Sequence, residues 1–368
     1  MSVPSFSVVR AHETGARLGR LVTAHGAVDT PAFMPVATHG SVKGITPAQL
    51  EELGATIVLS NAYHLAQRPG VETVRALGGL HALMGWDGPI LTDSGGFQVM
   101  SLAGLVRVDD DGVSYRSHVD GASGRLRPED AIAVQEGLGV DVAMSLDECV
   151  AAGAAPEQVM RAAARTRDWA ARGLAARTRP EMALFGIVQG AFDPAARRAS
   201  AADLVAMAFD GYAAGGLSVG EPPEETARIA ALTVELLPRD RPRYLMGTGT
   251  PGDLLRFTAM GYDLFDCVLP TRNARNGMLF TREGKLMIRN ACHARDPRPV
   301  DDGCACYTCG RFSRGALRHL HLAHEMLGAQ LATIHNLHFY LHLMREIRAA
   351  LTEGVFPGRA AQAAGAWA

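Results

Sequence analysis

Three aspartates, Asp93, Asp147 and Asp266, each end a short apolar run of β type. Strands lying side by side in one sheet bring such ends together, however far apart they are in the chain. A carboxylate pair is what glycosyl chemistry needs: one attacks the anomeric carbon and the other handles the proton of the leaving group. Capping a following helix or binding a metal is the plainer duty of a strand-end aspartate. Asp93 opens the run Asp93-Ser94-Gly95-Gly96-Phe97-Gln98, whose glycines let a ligand approach the backbone closely. Asp147 lies in Ser145-Leu146-Asp147-Glu148-Cys149, and an ionised carboxylate offers acceptors only. A guanine edge, with its N1–H and exocyclic amine side by side, is a natural partner for such a group. Gln189 and the backbone N–H groups around Gly216 could then donate to the purine carbonyl oxygen. Asp266 has apolar neighbours and is followed closely by Arg272 and Arg275.

A second constellation is Cys304-Ala305-Cys306-Tyr307-Thr308-Cys309. Three thiolates this close hold one soft ion more readily than they pair as disulfides, and tetrahedral zinc needs a fourth ligand. His319, His321, His324, His335, His338 and His342 all lie downstream, and spacing alone does not choose among them. Three thiolates and an imidazole, with no open position, describe a structural site rather than a catalytic one. Cys149, Cys267 and Cys292 are scattered and read as small buried residues or free thiols.

The formal charge is −2, from 36 Lys and Arg against 38 Asp and Glu in 368 residues, which alone gives no sign of a polyanionic partner. Its distribution says more. Residues 272–318 hold ten basic side chains, nine of them arginine, against Glu283, Asp296, Asp301 and Asp302, so that block is net +6 and the rest of the chain −8. A cationic block beside a metal-ordered loop suits a phosphate backbone; a solvated arginine-rich surface is the bland alternative. Gly247-Thr248-Gly249-Thr250-Pro251-Gly252-Asp253 adds a glycine-rich turn running into a helix N-terminus, a ready anion site.

The elements that must position these groups follow from patterning. With 48% hydrophobic and 20% charged residues, disorder, collagen and coiled coil are excluded. Eight β-type runs, at 33–36, 56–59, 89–91, 142–146, 184–188, 212–217, 244–246 and 264–267, alternate with helical patterns. Most of the helical segments open on proline: Pro47, Pro128, Pro156, Pro194, Pro222 and Pro251. Eight such units predict a (β/α)8 barrel with its site on the carboxyl-end rim; a doubly wound sheet is the alternative. The expected division is a barrel over 1–279, carrying N-terminal antiparallel strands and a rim hairpin at 106–125. A zinc-binding subdomain follows at 280–335, then the last helix, expected over 335–351, and a tail to 368. No signal peptide or membrane span is evident, so a cytoplasmic protein is expected.

With these motifs in place the chain closely resembles the bacterial-type tRNA-guanine transglycosylases, which exchange the wobble guanine of certain tRNAs for a 7-deazaguanine. The resemblance spans residues 6–351. It is carried by DSGGFQVMSL at 93–102, SLDEC at 145–149, GIVQG at 186–190, GGLSVGE at 215–221, YLMGTGTP at 244–251, FDCVLPTRNARNG at 265–277, and the paired CxCxxC and HNLHFY motifs. The resemblance implies Asp266 as the nucleophile that bonds the ribose, and Asp93 as proton acceptor and donor. It implies that Asp147, Gln189, Gly216 and the backbone of Leu217 read the base, between Phe97 and Met246, in a pocket that includes Ser94, Gly95 and Gly96. It selects His335 as the fourth ligand of one structural zinc per subunit. RNA contacts are implied for Gly247, Thr248, Gly249, Thr250, Pro251, Gly252 and Asp253, and for Thr271, Arg272, Asn273, Ala274 and Arg275.

Further implications of the resemblance are substrate tRNAs with GUN anticodons (Asp, Asn, His, Tyr), a homodimer and no redox cofactor. Relatives that use queuine carry a smaller residue at the position of Val219 and no cysteine at that of Cys149, so 7-aminomethyl-7-deazaguanine is the expected base. Phe97 stands where some relatives have tyrosine. Two other readings use the same residues: a retaining nucleoside or glycoside hydrolase, with water as second nucleophile, and a non-catalytic zinc-dependent RNA-binding subunit. The presence of both Asp93 and Asp266 argues against the latter.

Overall fold

All eight β-type runs become strands of one parallel sheet in the computed structural model, which describes residues 4–102 and 105–356. The strands are β1 (Ala32–Pro35), β2 (Val58–Ser60), β3 (Ile90–Thr92), β4 (Val142–Met144), β5 (Ala183–Val188), β6 (Gly211–Ala214), β7 (Arg243–Leu245) and β8 (Leu264–Cys267). Each pairs with the next in sequence, and β8 pairs back on β1 with Asp266 opposite Met34. A parallel bridge between Val36 and Leu59, with the Ala37 N–H on the Leu59 carbonyl at 2.6 Å, closes β1 on β2. The ring is a (β/α)8 barrel, and the doubly wound alternative falls.

Both faces of the strands are apolar because both are covered. Met34, Leu59, Leu91, Met144, Phe185, Ile187, Ala213 and Tyr244 fill the interior, joined by Leu21 and Val28 of the N-terminal antiparallel strands Arg17–Thr23 and Gly26–Thr30. Alternate residues, among them Val58, Ile90, Ala143, Leu184 and Tyr212, face the helices instead. The runs 142–146 and 212–217 leave the ladder after Met144 and Ala214. At Gly216 the backbone enters the left-handed region with φ +65°, so the chain turns on the rim where the strand had been expected to continue.

The helices used below are α1 (Pro47–Leu53), α2 (Ala62–Gln67), α3 (Gly96–Leu102), α4 (Pro128–Leu138), α5 (Pro156–Ala176), α6 (Pro194–Ala206), α7 (Pro223–Leu236), α8 (Pro251–Met260) and α9 (Met326–Glu353). Five of the six expected prolines open their helices. Pro222 is the cap of α7, and Pro223 is its first residue, because a residue before proline is steered away from helical backbone. The last helix begins at Met326, nine residues before the expected start, since the buried face that includes Leu331, Ile334 and Leu337 runs upstream of His335. In place of the rim hairpin stand three antiparallel strands, Val106–Asp109, Gly112–Arg116 and Ser123–Leu126. The tail from 357 to 368 lies outside the described residues.

Two buried carboxylates clamp the lower end of the barrel. Asp141, just before β4, accepts four N–H donors: the Ile90 and His25 backbone amides and the stacked imidazoles of His25 and His81. Its acceptor positions are all spent on the chain, which makes it a staple. Asp263, just before β8, takes Arg17 Nε at 2.9 Å, Arg17 Nη2 and the Arg243 amide, with both Arg17 and Asp263 buried. Removing one partner of such a pair strands the other charge, which typically costs about 3–5 kcal/mol. Asp263→Ala is therefore expected to lower unfolding stability by roughly 3 kcal/mol, read from urea denaturation with an unchanged slope; a loss below the error of that measurement would contradict this account.

Candidate active site and metal centre

Asp93, just beyond β3, is held through both oxygens. Its Oδ1 accepts the first amide of α2, Ala62, at 2.9 Å, and its Oδ2 accepts the side-chain amides of Asn61 and, at 2.8 Å, Gln98. Asp266, inside β8, is held through one. Tyr244 Oη and the Gly247 N–H both donate to its Oδ1, at 2.6 and 2.7 Å, and Oδ2 takes no donor among the described residues. The two carboxylates are electrostatic neighbours. Burial pushes Asp93 up to about 6 against the bonds from Asn61 and Ala62, and the charge of Asp266 raises it further. Burial likewise raises Asp266, opposed by Tyr244 and Gly247. Tyr244 is driven well above the usual phenol range by burial and by Asp266, so it stays protonated and keeps donating.

A third carboxylate sits beside them. Asp147 is buried beyond β4, and its Oδ2 accepts Gln189 Nε2 at 2.6 Å. Burial pushes it up to about 6, opposed by the bonds from Gln189 and Ser94. The packing leaves no room for side chains here: a Cβ on Gly216 would lie 2.5 Å from Gln189 Oε1, and one on Gly96 would lie 3.1 Å from the Asp147 carbonyl oxygen. Asp93, Ser94, Gly95, Gly96, Asp147, Gln189, Gly216 and Asp266 thus come from five strand ends to one rim. Leu217 is buried, Phe97 is half-exposed on the first turn of α3, and Met246 is half-buried against the barrel interior.

The segments expected to meet RNA divide. In the glycine-rich turn the Gly247 amide is spent on Asp266, Thr248 and Gly249 are buried, and Asp253 closes a capping box with Thr250 at the start of α8, where Pro251 and Gly252 follow. That helix end already has its acceptor. In the helix Leu269–Arg275, Thr271 and Ala274 are buried, whereas Arg272 and Arg275 are exposed and Asn273 half-exposed. Beyond it, Arg298 and Arg314 converge on Asp296, and Arg282 pairs with Glu346. Arg272, Arg275, Lys285, Arg289, Arg295 and Arg311 are exposed and form no ion pair among the described residues. They are the available cations of the basic block.

All six cysteines are free thiols. The structure chooses among the six histidines: Cys304, Cys306, Cys309 and His335 bring their ligand atoms within 4.8 Å of one another. His335 Nδ1 stands 3.8, 3.6 and 3.3 Å from the three sulfurs, against about 3.6 Å for the edge of a tetrahedron with zinc–ligand bonds of ordinary length. Its Nε2 lies 2.7 Å from the Phe280 carbonyl, so Nε2 carries the hydrogen and Nδ1 presents a lone pair. His338 reaches only Cys304, at 3.5 Å, and stacks on His342. Next to His335, buried Asn336 accepts the Phe280 amide and donates to the Pro270 and Met278 carbonyls. The donor set suits zinc, which would tie the cysteine loop to α9.

The sequence assigns no role to Asn61, Gln98, Tyr244 or the buried Arg197, which the structure places around the site. Tyr244 carried a usable signal, since it stands two residues before Met246, at the end of a barrel strand. Arg197 carried none, because an arginine in the first turns of a helix reads as solvated.

Fold and rim together define the class: a (β/α)8 barrel with three carboxylates converging on one rim. The family model described as "Queuine tRNA-ribosyltransferase" matches residues 12–367. Proteins named queuine tRNA-ribosyltransferase are similar over almost their whole length. That of Moorella thermoacetica is 52% identical over 355 residues, covering 96% of this chain and 95% of the relative. That of Desulforudis audaxviator is 54% identical over 344 residues, covering 93% and 92%. That of Symbiobacterium thermophilum is 53% identical over 344 residues, covering 93% and 86%. The chain belongs to the queuine tRNA-ribosyltransferase family, whose members are pentosyltransferases.

Cys306→Ser is expected to lose most of its bound metal, measured by elemental mass spectrometry after removal of loosely held ions, and to unfold at lower temperature. Chelation of the unaltered protein should lower its midpoint in the same way. A variant that keeps a full equivalent of metal would remove Cys306 from the ligand set.

Proposed function

We propose that the protein exchanges guanine at the wobble position of tRNAs with GUN anticodons for 7-aminomethyl-7-deazaguanine, through a covalent Asp266–ribose intermediate. The observation that carries this reading is the asymmetry of the two rim carboxylates. Asp266 is fixed through Oδ1 and has Oδ2 free for attack, whereas Asp93 is fixed through both oxygens and sits near 6. The free oxygen bonds the ribose C1′ as the bond to guanine N9 breaks and its electron pair leaves with the base. Protonated Asp93 gives that base a proton at N9; ionised Asp93 then removes one from N9–H of the incoming base, which displaces Asp266. Atoms and charge balance without ATP or a redox group.

In this reading Asp147 accepts from N1–H and the 2-amino group, while Gln189 and the Gly216 and Leu217 amides serve the remaining polar edge. Ser94, Gly95 and Gly96 form the wall, and Phe97 and Met246 flank the ring. A stacked base cannot present its glycosidic bond, so the wobble nucleotide must leave the anticodon stack to enter the rim. Val219 and Cys149 favour the 7-aminomethyl base. Zinc held by Cys304, Cys306, Cys309 and His335 would order the subdomain of 280–335 against the barrel of 1–279, with α9 crossing its boundary at 335. The exposed arginines would take RNA phosphates. A homodimer acting in the cytoplasm completes the proposal; among the described residues no helix is long and apolar enough to cross a membrane.

Radiolabelled guanine should enter unmodified tRNA, in competition with 7-aminomethyl-7-deazaguanine, and native protein should leave a tRNA adduct on a denaturing gel. Asp266→Asn should abolish both. Abasic RNA and free guanine without incorporation of label would point to the hydrolase instead. pH gives an independent check. As pH falls through about 6, Asp147 takes up a proton and exchanges an acceptor for an O–H, so KM for the incoming base should rise below pH 6, by at most about tenfold per unit, and stay level above neutrality. A KM in Asp147→Asn with the same pH profile as the native protein would separate that titration from Asp147.

A further inference from the structure

Arg197, in the first turns of α6, is fully buried and forms no ion pair among the described residues. A cation in such a place is costly unless its hydrogens are satisfied. Here three backbone carbonyls serve it: Nε donates to Ala191 at 2.9 Å, Nη1 to Val188 at 2.9 Å and Nη2 to Gly215 at 2.8 Å. Val188 ends β5, and Gly215 is the first residue beyond β6. One guanidinium therefore ties together the ends of two strands whose next residues are Gln189 and Gly216. Burial lowers its pKa to about 10, which leaves it charged at neutral pH.

The segment between strand and helix is shaped around this contact. Ala191 has φ +45°, a left-handed conformation rare for a residue with a Cβ, and its carbonyl is one of the three on Arg197. A Cβ on Gly190 would lie 2.7 Å from the Arg197 backbone nitrogen, so the helix start and the strand end approach as closely as backbone allows. On the far side, the trans peptide between Gly215 and Gly216 is planar, with its carbonyl and N–H pointing in opposite directions. Binding the Gly215 oxygen to Arg197 therefore turns the Gly216 N–H away from the guanidinium. Gln189 and Asp147 both lie against this turn, with Gln189 Nε2 2.8 Å and Asp147 Oδ2 3.5 Å from a Cβ built on Gly215. Neither the Gly216 nor the Leu217 N–H has an acceptor among the described residues.

We propose that Arg197 is a positioning residue for base recognition: by holding the Gly215 carbonyl it fixes the orientation of the Gly216 N–H that meets the 6-oxo group of the purine. This rests on reading the rim as a guanine pocket. Arg197 touches no substrate atom; it sets the strength of one hydrogen bond to position 6, where an oxo group accepts more strongly than a thioxo group. Lysine cannot replace it, because one ammonium on a flexible stem lacks the planar fork that spans three carbonyls.

The test compares native protein with Arg197→Lys in guanine exchange into tRNA, with 6-thioguanine as competitor. 6-Thioguanine keeps the N1–H and 2-amino groups read by Asp147 but offers a weaker acceptor at position 6. In Arg197→Lys, KM for guanine should rise roughly five- to tenfold, the effect of one ordinary hydrogen bond, while the inhibition constant of 6-thioguanine stays within about twofold. A purely structural role would weaken both bases alike, and an unchanged ratio in a variant that still forms the tRNA adduct overturns the proposal. If Arg197→Lys does not fold, a crystal structure of native protein with guanine decides. Arg197 Nη2 must remain on the Gly215 oxygen with Gly216 N in hydrogen-bond contact with O6, and a turned 215–216 peptide overturns the proposal. Native protein that incorporates no guanine would instead sink the assignment of the pocket.

Discussion

Parallel pairing around a closed ring obliges all eight strands to end on one rim. Polar residues separated by well over a hundred positions therefore meet without any long-range design in the sequence beyond strand order. The same closure has a cost, since it gathers Asp93, Asp147 and Asp266 into a part-dry space where burial raises all three and the charge of Asp266 raises Asp93 further. Every donor around them is a response to that crowding. Asn61, Ala62 and Gln98 serve one carboxylate, Gln189 and Ser94 another, and Tyr244 and Gly247 the third.

The barrel was legible because its signals are local and repeated. Short apolar runs bounded by turn residues, with proline at helix starts, report themselves wherever they occur, and the cysteine triplet needs only its spacing. The misses share a different cause. The third strand of the rim meander, Ser123–Leu126, has the sequence Ser-Gly-Arg-Leu, with little β character of its own; it exists because Gly112–Arg116 offers an edge to pair with. Spacing could not tell His335 from five other histidines; the family motif selected it, and α9 turns it toward the sulfurs. Tandem prolines hid the start of α7, since either could have been its first residue.

Charge shows the same limit. Composition placed an excess of arginine near the cysteines, but several of those side chains are already paired, with Asp296 and Glu346. Elsewhere Arg17 and Arg197 are buried and do work no composition can display. Arg17 pays for the desolvation of Asp263 beneath the barrel, and Arg197 ties two strand ends above it. Such a residue is recognised by what surrounds it, never by its letter.

The neighbouring pair His335 and Asn336 has a mechanical consequence. One side chain faces the cysteine loop, and the other grips the Pro270, Met278 and Phe280 backbones, in and just after the short helix that follows Asp266. Because both sit on one turn of α9, the arginine-bearing surface and the carboxylate that would receive the ribose belong to a single lever. The separation between the two is a gauge set by one helix, against which an RNA loop would be measured before any bond is broken.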